Sequence, residues 1–265
     1  MTYKLMKRNN IRIIGNDDRA ILFAHGFASD QTTWKWITPA FKDNYKIILL
    51  DYVGSGHSDK NAYHKQKYQT LDGYVEDIIE ICDALEWKDL YFVGHSVGGM
   101  IGLLLSIKRP DIVHKLIMIG ASPRYLNDEP DYIGGFERNE IDDILEMMEM
   151  NFSGWASYLA PVALPVSEGA DKTKLVESHF QSNDPNLTYD FLQSTLLSDY
   201  RDKLSQVTVP TVILQCSNDS FVPIEAAKYM NRHIPKSQLH VLSAKGHYPH
   251  ISHPEETIRA LERHL

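Results

Sequence analysis

Short runs of apolar residues alternate along the chain with longer amphipathic stretches. Seven runs have the length and composition of strands: Ile11–Ile14, Ala20–Ala24, Lys46–Leu50, Leu90–Val93, Lys115–Ile119, Thr211–Gln215 and Leu239–Leu242. Five stretches between them repeat apolar residues at helical spacing: Trp34–Lys42, Leu71–Leu85, Gly98–Lys108, Ile224–His233 and Pro254–Leu265. Continuously apolar strands are typical of burial on both faces. The alternation therefore predicts an α/β fold with a mostly parallel central sheet flanked by helices.

The segment from residue 121 to residue 204 departs from this alternation. It contains no convincing central strand, and glycines and prolines such as Gly134, Gly135 and Pro165 divide it into helices. We expect residues 1–120 and 205–265 to form the core and residues 121–204 to form a helical lid.

Aromatic side chains in this segment, with one from a later loop, are candidates for lining a substrate pocket under the lid. The residues expected there are Tyr125, Phe136, Trp155, Tyr158, Phe191 and Phe221. The alternative for each of them is simple packing within the insertion.

Composition and charge exclude several classes of protein. The chain has 27 Lys and Arg against 35 Asp and Glu, and a net charge of -8 repels phosphate backbones. No window approaches the roughly 18 apolar residues of a membrane span, and the amino terminus lacks the apolar stretch of a signal peptide. Cys82 and Cys216 have no metal-site spacing. We expect a cytoplasmic protein without nucleic-acid or membrane partners.

The strongest chemical signal is Gly94-His95-Ser96-Val97-Gly98, between an apolar strand and a helical run. A serine on such a sharp strand-to-helix turn projects its hydroxyl above the sheet, and the flanking glycines avoid collisions with neighbouring backbone. Ser96 is therefore the candidate nucleophile. A structural loop is the alternative for an isolated GxSxG pattern.

A serine nucleophile needs a base, and the base needs a carboxylate to orient it. Asp219 and His247 each follow one of the last two predicted strands, in the chain order expected of such a triad. Asp199 and Asp202 precede a strand, so we expect them at the wrong end of the sheet. Asp51 begins a glycine-rich loop, where a structural role is the stronger interpretation.

His247, His250 and His253 recur every three residues and offer a metal cluster as an alternative. Pro249 and Pro254 argue against one helix presenting all three, and no carboxylate is interleaved as a ligand. We expect no metal or other cofactor. His25 follows a strand and precedes Gly26, where the chain can turn a backbone N–H towards an oxyanion. The expected oxyanion donors are the N–H groups of Phe27 and Val97.

Together these segments resemble the α/β-hydrolase superfamily over nearly the whole chain. The segments at Ser122–Asp128, Asn151–Ala156 and Gly246–His250 are similar to the group that contains the bacterial stress regulator RsbQ and the plant karrikin and strigolactone receptors. Ile213–Cys216 and Ser252–Thr257 look closer to RsbQ, and Gly98 stands where the plant receptors typically carry serine.

The resemblance implies a lid of four helices over a small hydrophobic pocket, slow serine hydrolase activity and a signalling output. It also implies an RsbP-like partner, a phosphatase with a sensory PAS domain, that activates the general stress response. Two alternatives stay open: a metabolic carboxylesterase or lactonase without a partner, and a ligand-binding receptor whose triad is a relic.

Overall fold

A twisted sheet forms the centre of the molecule, for which a computed structural model describes residues 2–265. Its seven strands lie in the order β1-β3-β2-β4-β5-β6-β7. The strands are β1 (Arg12–Ile14), β2 (Ala20–Ala24), β3 (Lys46–Leu49), β4 (Leu90–His95), β5 (Val113–Ile119), β6 (Thr211–Asn218) and β7 (Ser237–Lys245). All neighbours pair in parallel except β1, which runs antiparallel to β3. The expectation of a mostly parallel sheet is confirmed.

Helices precede, connect and follow the strands. They are α1 (Thr2–Arg8), α2 (Asp72–Ala84), α3 (Val97–Lys108), α4 (Arg138–Met150), α5 (Phe152–Ala163), α6 (Ala170–Gln181), α7 (Pro185–Leu196), α8 (Ile224–His233), α9 (Pro249–Ser252) and α10 (Pro254–Glu262). The stretch expected to form one helix at Trp34–Lys42 instead contains short 3-10 turns at Gln31–Trp34 and Thr38–Ala40. Pro39 lacks the N–H that a continuous helix would need there.

Successive residues of the strands point to opposite faces of the sheet, and both faces are covered. On β2, Leu22 packs with residues of α2 and α3, whereas Phe23 packs with Trp34 and with Leu261 of α10. Both strand residues have no exposed surface. Burial on both sides explains why the strands read as continuous apolar runs.

The helices α4, α5, α6 and α7 lie between β5 and β6 and carry an apolar cluster of their own. Trp155, Phe180 and Leu192 are buried in this cluster, which also includes Tyr248 from the loop after β7. These four helices therefore pack over the edge of the sheet at which the parallel strands end. Among residues 2–265, no helix combines the length and the apolar character required to cross a lipid bilayer.

Candidate active site

Ser96 occupies the turn between β4 and α3. Its φ of 53° and ψ of -122° are strained for a residue with a side chain, and its N–H donates to the carbonyl of Ile119 at 2.8 Å. The turn leaves no space for a side chain at Gly94, because a Cβ there would lie 2.4 Å from the carbonyl oxygen of Gly98. This close packing fixes the direction in which the Ser96 hydroxyl points.

His247 and Asp219 reach Ser96 from the loops after β7 and β6. His247 Nε2 lies 2.8 Å from Ser96 Oγ, and His247 Nδ1 lies 2.8 Å from Asp219 Oδ2. The side chains of His247 and Asp219 are 6% and 0% exposed, so water does not separate the pair. The three residues form a continuous hydrogen-bonded chain from hydroxyl to carboxylate.

The carboxylate of Asp219 is held by the loop that follows it. Its Oδ1 accepts the backbone N–H groups of Phe221 at 2.9 Å and Val222 at 3.2 Å. Gln215 on β6 donates to Oδ2 at 3.3 Å and to the carbonyl of Val222 at 2.9 Å. Asp219 is thereby oriented towards Nδ1 of His247, which fixes that nitrogen as the protonated one.

Two backbone N–H groups near the pocket that contains Ser96 have no internal acceptor: Phe27 lines this pocket, and Val97 follows Ser96 in the chain. Phe27 follows β2 in a loop, and Val97 is the first residue of α3, where helix geometry supplies no acceptor. Neither group donates to another part of the described chain, residues 2–265. Both groups are therefore free to donate to an oxygen that gains negative charge during a reaction.

An apolar pocket of about 50 Å³ opens above Ser96 and His247. Its walls come from the sheet loops and from α4, α5, α6 and α7: Phe27, Tyr125, Phe136, Ile144, Leu159, Phe180, Leu192, Thr195, Leu196, Phe221 and Tyr248. The Tyr125 hydroxyl lies 3.4 Å from Ser96 Oγ. Burial raises the pKa of Tyr125 to about 12, so this hydroxyl stays protonated at neutral pH.

Three of the six aromatic residues expected in the pocket lie elsewhere. Trp155 is fully buried between Phe152 and Phe180, behind the pocket wall. Phe191 packs against Tyr74 of α2, at the interface between α7 and the core. Tyr158 is 57% exposed on α5 and lines an outer cleft. Helix rotation turned these side chains away, and composition alone carries no information about rotation.

Three pocket wall residues without aromatic rings were not predicted from the sequence. Leu192, Thr195 and Leu196 point into the pocket from α7, at the spacing of one helical face. That spacing is readable in the sequence. The sequence does not specify which face of α7 turns towards Ser96.

The rival residues have structural partners. Asp51 is fully buried and accepts from the N–H groups of Gln31 and His57, each at 2.9 Å. His25 donates from Nδ1 to the carbonyl of Gly26 at 2.7 Å and accepts the N–H of Tyr52 at 3.1 Å. Asp51 therefore organises the glycine-rich loop, and His25 braces the turn before Phe27.

The other two histidines of the alternative metal cluster have structural partners as well. His250 stacks on Trp34 with ring centres 4.5 Å apart, while His253 Nε2 lies 3.4 Å from a carboxylate oxygen of Glu168. Within residues 2–265, no group of three His, Cys, Asp or Glu side chains converges as metal ligands would.

The family comparison agrees with the observed fold. A family model described as the alpha/beta hydrolase fold matches residues 19–254. The chain belongs to the α/β-hydrolase family. This α/β-hydrolase is 39% identical to the strigolactone esterase RMS3 of Pisum sativum, over 96% of this chain and 95% of the relative.

Two further relatives resemble this α/β-hydrolase along almost its full length. The karrikin insensitive 2 receptor CA of Petunia hybrida is 36% identical, over 97% of this chain and 95% of that receptor. A solved hydrolase from Oleispira antarctica superimposes with a TM-score of 0.97 at 35% identity, covering 99% of this chain and 96% of its own.

Proposed function

We propose that this α/β-hydrolase is a serine hydrolase that cleaves a small hydrophobic ester or lactone through Ser96, His247 and Asp219. The observation that carries the proposal is the 2.8 Å contact between Ser96 Oγ and His247 Nε2 at the base of an apolar pocket. A hydroxyl in hydrogen bond with an oriented imidazole is the arrangement that activates serine for attack on a carbonyl carbon.

The reaction proceeds in two acyl transfers. Ser96 Oγ attacks the carbonyl carbon while His247 Nε2 takes the hydroxyl proton, and the carbonyl oxygen becomes an oxyanion beside the N–H groups of Phe27 and Val97. Collapse of this intermediate breaks the bond to the leaving oxygen, which receives the proton from His247. Water then attacks the acyl-Ser96 ester with His247 again as base, releasing the acid and restoring the serine. For a lactone, acid and alcohol leave as one molecule.

The pocket favours compact apolar substrates. Its walls are mainly aromatic and aliphatic, and the free space above Ser96 is about 50 Å³. A charged substrate group buried there without a partner would cost several kcal/mol. A long acyl chain would have to displace the lid helices.

The physiological role that we propose is regulation. The segments similar to RsbQ support an RsbQ-like positive regulator of a cytoplasmic stress-signalling pathway, with an RsbP-like PAS-domain phosphatase as partner. The 36% identical relative from Petunia hybrida is named a receptor, and this similarity also favours a signalling role for the present protein. Turnover in this role is slow, because the ligand must stay in the pocket long enough for the partner protein to bind the ligand-bound form.

The test compares wild-type protein with Ser96→Ala and with Ser205→Ala, an exposed serine outside the site. We expect wild type and Ser205→Ala to hydrolyse a short p-nitrophenyl ester and Ser96→Ala to lose hydrolysis. Mass spectrometry of protein quenched during turnover should find the acyl group on Ser96. Equal hydrolysis by Ser96→Ala, or an acyl group on another residue, would contradict the proposed nucleophile.

The regulatory role has its own measurement. A tagged PAS-domain phosphatase from the same organism should bind the hydrolase, and loss of either gene should weaken the same stress response. Ester hydrolysis at ordinary enzyme rates without any such binding would favour a metabolic esterase. Ligand-dependent phosphatase binding by wild type without hydrolysis would favour a receptor with a relic triad.

A further inference from the structure

His95 directly precedes the nucleophile and contacts the loops that carry His247 and Phe27. It has no exposed surface, and its Nε2 lies 2.7 Å from the carbonyl oxygen of His247. On the other side of the ring, a Cβ placed on Gly26 would come within 2.4 Å of His95 Nδ1. His95 thus touches the His247 loop and the loop that carries Phe27, while it is bonded directly to Ser96.

The hydrogen bond to His247 determines the protonation of the His95 ring. A carbonyl oxygen only accepts, so Nε2 must carry the proton and donate it. Nδ1 has no hydrogen-bond partner within residues 2–265 and is the deprotonated nitrogen of the neutral ring. Burial lowers the pKa of His95 far below its usual value, and His250 and His247 lower it further. The neutral donor form is therefore the stable one.

The surroundings of His95 are aromatic. The ring centre of His250 lies 4.5 Å away, that of Tyr248 lies 4.7 Å away and that of His247 lies 4.8 Å away. His25, from the opposite loop, is the remaining titratable neighbour and also lowers the pKa of His95. Tight packing on every side leaves the ring little freedom to rotate.

The main chain of His247 is held from two directions. Its N–H donates to the carbonyl of Ala163 at the end of α5 at 2.7 Å, and its carbonyl accepts from His95 at 2.7 Å. The lid thus fixes one side of the catalytic histidine's backbone, and the strand that bears the nucleophile fixes the other. Loss of the His95 contact would free the carbonyl side and let the His247 ring shift away from Ser96.

We propose that His95 is a positioning residue that donates Nε2–H to the carbonyl of His247. This hydrogen bond keeps the catalytic imidazole within hydrogen-bonding distance of Ser96. The inference rests on the proposed serine hydrolase. His95 touches no reacting atom in this scheme. Its effect passes through the backbone of His247, where a displacement of about 1 Å can cost about 100-fold in rate.

The first test compares His95→Gln with His95→Leu. The glutamine amide can place an N–H donor near the position of Nε2, whereas leucine has a similar volume and no donor. Rates are measured per active site, counted by stoichiometric reaction of Ser96 with a fluorophosphonate. We expect His95→Leu to lose about 100-fold in kcat with an unchanged KM, and His95→Gln to retain at least a third of wild-type kcat. The acid limb of the pH profile should move only in His95→Leu.

A purely structural role would lower the number of active sites and leave kcat per site and the pH profile unchanged in both variants. That result, or equal loss of kcat in both folded variants, would overturn the proposal. Failure of the proposed function itself would look different, because wild type would then show no hydrolysis dependent on Ser96.

A second measurement uses the wild-type protein and needs neither activity nor a variant. Nitrogen-15 NMR of the histidine side chains should find His95 neutral from pH 5 to pH 8, with its proton on Nε2 and protected from exchange with water. A proton on Nδ1, or titration of His95 within this range, would overturn the proposal even if both variants failed to fold.

Discussion

Arg124 pairs with Asp199 at the base of the helical insertion, where the chain leaving β5 and the chain returning to β6 run side by side. The N–H of Tyr200 donates to the carbonyl of Pro123 at 2.8 Å in the same place. Arg201 adds contacts to Asp199 at 2.7 Å and to Asp128 at 2.8 Å. These ion pairs and hydrogen bonds join the two ends of the insertion to each other.

The first prediction concerns the pH dependence of this contact. Burial raises the pKa of Asp199, but hydrogen bonds from Arg201 and Arg124 outweigh burial and hold it at about 2. Because the folded-state pKa lies below the unfolded value, the contribution to stability is complete above about pH 4 and is lost as pH falls towards 2. Asp199→Asn should cost about 1 kcal/mol in the free energy of unfolding at pH 7, and less below pH 4.

Urea unfolding at a series of pH values measures this difference. The control is Asp18→Asn, which alters an exposed carboxylate before β2. It should change the free energy of unfolding little at any pH. If the decrease in the free energy of unfolding caused by Asp199→Asn stays constant down to pH 3, the two arginines do not stabilise the charged carboxylate.

The second prediction separates the triad carboxylate from the structural one. Asp219→Asn should fold and lose roughly 10²- to 10⁴-fold in kcat, because the amide no longer fixes the tautomer of His247 or stabilises its charged form. Asp51→Asn should instead lower the melting temperature, since Asp51 accepts from backbone N–H groups at Gln31 and His57. Its kcat per active site should stay near that of wild type.

Kinetics on both variants, with active sites counted by fluorophosphonate titration, checks this assignment. A folded Asp219→Asn with nearly full activity beside an inactive Asp51→Asn would reverse the roles of the two carboxylates.

The third prediction concerns acyl-chain length. Phe180 is 2% exposed and forms part of the pocket wall, so Phe180→Leu should add space above Ser96. We expect the ratio of p-nitrophenyl octanoate to butyrate hydrolysis to rise several-fold. The control is Met148→Leu, in the same apolar cluster but outside the pocket lining. An unchanged ratio in Phe180→Leu would mean that long acyl chains are limited by something other than this wall.

The fourth prediction places the partner phosphatase on the lid. α4 exposes Glu146 and Glu149, and its acidic surface suits a basic partner surface. Reversal of both charges to lysine should weaken partner binding and leave hydrolysis intact. Glu137 and Glu140 are unsuitable for this test because they form a capping box that stabilises the helix.

Binding is measured by calorimetry against the purified phosphatase, with Asp18→Lys at the amino end of β2 as the matched control. If the double lysine variant binds as tightly as wild type while Asp18→Lys loses binding, the partner docks at the opposite end of the sheet.

Secondary structure near the chain's strong apolar runs was readable from sequence. β2 spans Ala20–Ala24 and α8 spans Ile224–His233, as the pattern predicts, because both depend on local periodicity. α1 was missed. None of its residues is buried, so it lacks the amphipathic signal that reveals other helices. Its last residue, Arg8, is instead anchored to Asp77 of α2 at 3.3 Å.

The sequence by itself determined the chemistry available to this protein. Ser96, Asp219 and His247 each follow an apolar run, and parallel strands bring their carboxyl ends to one edge whatever the helices do. Only the tertiary structure decided the shape of the pocket. Whether Trp155 or Leu159 faces Ser96 depends on how α5 is rotated, and that rotation is settled by packing against helices distant in sequence. The hydrogen bond from His95 to His247 likewise joins residues 152 positions apart, a separation that no local pattern encodes.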